Sequence, residues 1–199
     1  MKIKIKKEGK AKEFTLINSW EDVTLDNWLK LIEFQKETKS KQAKETIAAL
    51  SNIPKKLIEQ LELKDVALIM EAVSELQIKE DSPLKRIIEI EGKRYGFHPD
   101  LSSITLGEWA DLETFIKTDM EKQLPEVMAI LYRPIVEEKN EVYTIEAYDG
   151  NIAIRAEEMK KMSSQQVQSA LVFFYHFVTL LSMTSVLSLM DKLKETKMQ

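Results

Sequence analysis

Residues 23–34 read Val-Thr-Leu-Asp-Asn-Trp-Leu-Lys-Leu-Ile-Glu-Phe, and residues 104–115 read Ile-Thr-Leu-Gly-Glu-Trp-Ala-Asp-Leu-Glu-Thr-Phe. At an offset of 81 the two segments share five of twelve positions, among them the rare tryptophan. A helical pattern alone does not require that many identities. In both, a threonine precedes an apolar stripe at helical spacing, so Thr24 and Thr105 read as helix caps. Thr105 and Glu108 also fit the capping-box pattern. Upstream, the same offset places Phe14 on Tyr95 and Leu16 on Phe97.

Each repeat is preceded by strand-like sequence. Lysines alternate with Ile3 and Ile5, and Glu13 to Ile17 resumes the pattern after a Glu-Gly-Lys turn at residues 8–10. Ile87 to Ile90 and Lys93 to Phe97 flank a second Glu-Gly-Lys turn at residues 91–93. Both read as β-hairpins. Between the repeats, Lys36–Lys44 reads as a polar loop. Ala43, Ile47 and Leu50 form a short helical stripe, and Pro54 suits a further first turn. Asp65 precedes another helix through Leu76, and residues 79–83 read as a linker.

After the second repeat, residues 120–132 read as a helix stopped by Pro134, residues 135–155 as irregular, and residues 156–162 as a short charged helix. The expected fold is α+β and mainly α: two related hairpin–helix units, then one long C-terminal helix or a helical hairpin. The corresponding segments are 1–80, 84–135 and 136–199, within one compact domain overall.

The chain has 199 residues, enough to bury a core without staples. It carries no cysteine, which excludes disulfides, thiol nucleophiles and Cys-type metal sites. The net charge is -4. Residues 1–20 contribute +4, so the remainder sums to -8 and repels phosphate backbones. No nucleic-acid partner is expected. The N-terminus lacks the continuous apolar run of a secretory signal.

From Ser163 through Met190 no charged residue occurs. The apolar part, Ala170 to Met190, has the length of a membrane span, but Ser182, Thr184, Ser185, Ser188 and a central His176 interrupt it. Lysines flank both ends without an orientation signal. A helix buried in the core or in an oligomer is the favoured reading, with Ser163-x-x-Gln166 as its start. Phe173, Phe174 and Phe177 are its densest cluster.

No catalytic constellation emerges. His98 reads as a turn residue, His176 as a core or interface histidine, and Arg133 as a cap on helix carbonyls. Asp149-Gly150-Asn151 reads as a turn rather than a calcium loop. No phosphate loop, nucleophile elbow or zinc motif is present, so neither catalysis, a metal nor a cofactor is expected. The candidate partner-binding residues are Trp28, Trp109, Phe173, Phe174 and Phe177. Trp28 and Trp109 read first as core anchors and second as docking aromatics.

The segments at residues 19–25, 104–113, 128–135 and 170–174, in this order, resemble a group of small tailed-bacteriophage proteins described as tail assembly chaperone-like or tail morphogenesis proteins. The resemblance spans about residues 14–181 and rests on packing motifs. It implies a non-enzymatic role through contacts with phage tail or baseplate proteins, in the cytoplasm of the infected bacterium or in the virion, with homo-oligomers possible. At Asp26-Asn27 the first repeat departs from the Gly107-Glu108 of the second.

Overall fold

The computed structural model describes residues 2–7, 10–75, 83–140 and 142–179. The linker expected at 79–83 therefore falls almost wholly outside the described residues, as does the C-terminal run beyond 179. The architecture is α+β and mainly helical, with a two-stranded hairpin and a four-stranded antiparallel sheet.

Strands β1 (Lys2–Lys7) and β2 (Lys10–Thr15) form the first hairpin, with Ile3 opposite Phe14. A 3-10 turn at Trp20–Asp22 leads into α1 (Leu25–Glu33). Helices α2 (Lys39–Leu50), α3 (Lys55–Ile58) and α4 (Leu63–Ser74) follow. The polar 36–44 segment is thus helical from Lys39, because Ile47 and Leu50 bury completely and draw the preceding turns into α2. Leu16, Val23, Ile47, Leu50, Ile58, Ile69 and Val73 make the core of this unit.

The second hairpin pairs β3 (Ile87–Ile90) with β4 (Lys93–Phe97). Glu91 and Gly92 both take positive φ, 50° and 78°, as a two-residue turn matched to strand twist requires. After a 3-10 turn at Leu101–Ser103 come α5 (Leu106–Asp119) and α6 (Leu124–Leu131). The segment expected as one helix over 120–132 begins only at Leu124 and ends before Tyr132.

Pro134 does not merely stop that helix. It lies inside β5 (Tyr132–Lys139), opposite Tyr95. Strand β6 (Val142–Ile145) completes the order β3-β4-β5-β6, so much of the stretch expected to be irregular is sheet. Strand β5 crosses the 135/136 segment boundary. Helix α7 (Ile152–Met159) starts earlier than the charged composition suggested, because Ile152, Ala156 and Met159 supply its buried face. The last helix, α8, covers residues 164–179. The core of this half combines the sheet, α5 to α8, and Leu25 from the first unit.

The duplication holds bond by bond. Thr24 Oγ accepts from Asn27 N at 3.3 Å, and Thr105 Oγ accepts from Glu108 N at 3.3 Å. Val23 N donates to Trp20 O, and Ile104 N to Leu101 O, each at 3.3 Å. Ile17 N donates to Leu50 O at 3.0 Å, and His98 N to Leu131 O at 2.7 Å. The isolated bridge Leu16–Ser51 corresponds to the strand pair Phe97–Tyr132. Every pair keeps the offset of 81, so the structural repeat reaches residues 50–52 and 131–133, beyond the segment in which sequence identity is visible. Leu16 and Phe97 are both fully buried anchors, each stabilising by roughly 1.5–3 kcal/mol.

Candidate protein-interaction surface

Helix α8 starts on the first unit. Ser164 N donates to Val23 O at 2.7 Å, and Ser164 Oγ donates to Trp20 O at 3.0 Å. Ser163, expected as a side-chain cap, leaves its hydroxyl unpartnered, because the backbone bridge to Thr24 holds this junction instead. Val167, Ala170 and Phe174 then turn inward at i, i+3 and i+7. On the opposite side, Gln168, Val172, Tyr175 and Thr179 are exposed at i, i+4, i+7 and i+11. Val172 is 52 % exposed and Tyr175 70 %. That outer stripe carries no charge.

The five aromatic candidates fall into different environments. Phe174 is buried and faces Trp109, with ring centroids 6.5 Å apart, so this pair is core. Phe177 packs half-buried on the same cluster. Phe173 is partly exposed; its ring meets Phe97 edge-on at 5.6 Å and lies 5.9 Å from the Arg86 guanidinium. Trp28 stands apart from the phenylalanines, perpendicular to Trp20 at 5.8 Å, and touches both cores. With Trp20, Leu25, Leu124, Val167 and Leu171 it lines an apolar groove of about 230 Å³ beside α8. The Gln165 side-chain amide also borders this groove, and its NH2 has no partner. His176, expected in a core or interface, is exposed here.

The sequence reading missed a buried ionic cluster. Thr105 N and Oγ each donate to Glu108 Oε2 at 2.7 Å, as the capping box foretold. The other carboxylate oxygen takes Arg133 Nη2 at 2.6 Å, and His98 Nε2 lies 3.7 Å from it. All three side chains are buried. Arg133 is therefore no helix cap, and His98, read as a turn residue, is buried just after β4: it and Arg133 on β5 both face the start of α5. The Tyr148 ring lies 5.9 Å from the Arg133 guanidinium, and its hydroxyl donates to Asp111. Arg155 pairs nearby with Asp149 at 2.5 Å. Asn151 N donates to Asp149 Oδ1 at 2.9 Å, so the expected turn forms there.

Burial pulls the Glu108 carboxyl upward, but the Thr105 bonds and then Arg133 and His98 outweigh it, leaving its pKa below the usual range. Burial pushes the His98 imidazole down, more than Glu108 raises it. At neutral pH the cluster is Glu⁻, Arg⁺ and neutral His. The only advance signal was the repeat itself. The offset of 81 aligns Glu108 with Asn27, Arg133 with Asn52 and His98 with Ile17. In the first unit those amides make backbone bonds, Asn27 Nδ2 to Ala49 O at 2.9 Å and Thr15 N to Asn52 Oδ1 at 2.7 Å. The same junction thus closes with or without charge.

Among the described residues no group of acidic or histidine side chains could hold a metal ion, and no helix is long and apolar enough to cross a membrane. No protein-family model, curated protein or solved structure matches the chain.

Proposed function

We propose that the protein is a non-enzymatic, chaperone-like bacteriophage tail assembly protein that binds tail or baseplate components through the outer face of α8. The observation that carries this reading is the charge-free stripe bearing Val172 and Tyr175, with Phe173 beside it. A soluble surface normally breaks such a stripe with charge, and contiguous apolar exposure marks contact sites. The Trp20–Trp28 groove alongside offers a slot for one large apolar side chain of the partner. The resemblance of the packing motifs to tail morphogenesis proteins supports this class of partner, and with it the cytoplasm of the infected host, or the virion, as the place of work.

The test uses the full chain carrying Val172→Asp and Tyr175→Asp, both exposed positions that leave the core intact. In pull-downs from infected cells the parent chain captures tail or baseplate components and the double variant does not. Equal capture by both, or no tail component with either, refutes the reading. Mass spectrometry of purified particles separates the roles: a chaperone is absent from them, whereas stoichiometric copies make the chain a minor structural tail component.

A further inference from the structure

One flank of α8 carries two features in line. Toward its N-terminal end, Ser164, Gln168 and Leu171 form one wall of the Trp20–Trp28 groove. Tyr175 follows on the same flank, so the four stand at i, i+4, i+7 and i+11. The Tyr175 side chain is exposed, and no charged residue separates it from the groove along the helix.

The groove restricts what can fill it. Its apolar surface comes from two perpendicular indoles, Trp20 and Trp28, with Leu124 and Val167. Gln165 at its border is buried, and the side-chain NH2 has no acceptor, an arrangement that costs stability until an acceptor arrives. On its far side Gln165 borders a polar recess with Glu21 and Asp22, whose carboxylates repel an acidic occupant. Lysine, arginine, phenylalanine and leucine bring no acceptor, and tryptophan brings only a donor. Serine, threonine and asparagine are too small and polar to cover the indoles. Tyrosine brings a ring for the indoles and, at its tip, a hydroxyl that accepts from the amide.

We infer that in the free protein a second copy of this chain covers the α8 face, the two helices antiparallel about a two-fold axis and each Tyr175 seated in the other copy's Trp20–Trp28 groove. The axis passes midway between Gln168 and Tyr175, beside Leu171 and Val172, so apolar side chains meet at the centre. One symmetry operation fills both grooves. The chain itself selects this occupant, because a single helix flank bears both the groove wall and an exposed tyrosine at its other end. The facing stretch, residues 164–179, holds no Asp, Glu, Lys or Arg, so the approach meets no like-charge repulsion. The inference rests on the reading of α8 as a contact face, and adds what occupies that face until a tail component displaces it.

Sedimentation of the purified full-length chain, with no tail component present, tests the pairing. The parent chain should dimerise at sub-millimolar concentration, and Tyr175→Asp should be monomeric there. Val142→Asp, at a comparably exposed site on β6, should dimerise as the parent does. Tyr175→Phe keeps the ring and should weaken the dimer about tenfold, since each dimer loses two hydrogen bonds. With Gln165→Leu already in place, Tyr175→Phe should add no further loss. In a mixture of labelled and unlabelled chains, intermolecular nuclear Overhauser contacts should join the Tyr175 ring to the Trp28 indole. A monomer at every concentration, a dimer indifferent to Tyr175→Asp, or intermolecular contacts that leave Tyr175 and Trp28 apart would overturn the inference. A dimer that captures no tail component refutes the proposed function alone, and a monomer that captures one refutes the pairing alone.

Discussion

Leu25 and Leu106 hold the same position in a duplicated, threonine-capped helix start, yet the first is fully buried and the second almost fully exposed. The difference comes from residues 160–164, which cover one copy only. Leu25→Ala should cost about 2–5 kcal/mol, because it empties a packed core site. Leu106→Ala should stay within about 0.5 kcal/mol. Urea unfolding of the two variants measures the contrast, and equal losses would contradict the asymmetric covering.

The Glu108–Arg133 pair should show strong coupling. Glu108→Asn or Arg133→Asn alone leaves the other charge buried and should cost about 3–5 kcal/mol. The double variant installs the residues that the first unit uses at the equivalent junction, Asn27 and Asn52. It should be less destabilised than the sum of the single variants by at least about 2 kcal/mol. Additive losses in a double-mutant cycle would show that the two side chains act independently.

Acid should destabilise the protein in two stages. The folded state holds His98 below its ordinary pKa of 6.5, so as pH falls past 6.5 the unfolded chain takes up a proton that the folded chain refuses. More protons bound to the unfolded state means that stability drops with pH. Glu108, held below its ordinary 4.5, contributes stability above that value and loses it as pH falls through the depressed folded pKa. His98→Gln should flatten the profile as pH falls through 6.5 and leave the carboxylate stage below 4.5. A profile unchanged by that substitution would place the upper stage elsewhere.

Gly96 sits where β4 passes Tyr143. A Cβ there would run into the Tyr143 ring, whose hydroxyl donates to Phe97 O at 2.7 Å and so cannot swing away freely. Gly96→Ala should cost about 1–3 kcal/mol by overpacking. Thermal unfolding reads the loss, and a neutral result would mean that the β4–β6 contact is looser than described.

The hairpins, the two threonine caps, the turn at Asp149 and the mainly helical α+β class were legible in the chain, because each depends on neighbours within a few residues: alternation, cap chemistry, helical spacing. The repeat was legible too, since both copies kept the side chains that anchor the same local geometry. What escaped depends on partners far away in sequence. Pro134 looked like a helix stop until Tyr95 across the sheet made it part of a strand. Arg133 looked like a cap and His98 like a turn residue, because nothing local reveals that Glu108 lies between them. Identical leucines at 25 and 106 met opposite fates for the same reason: burial is settled by which distant segment arrives to cover a side chain, and residues 160–164 reach only one of the two.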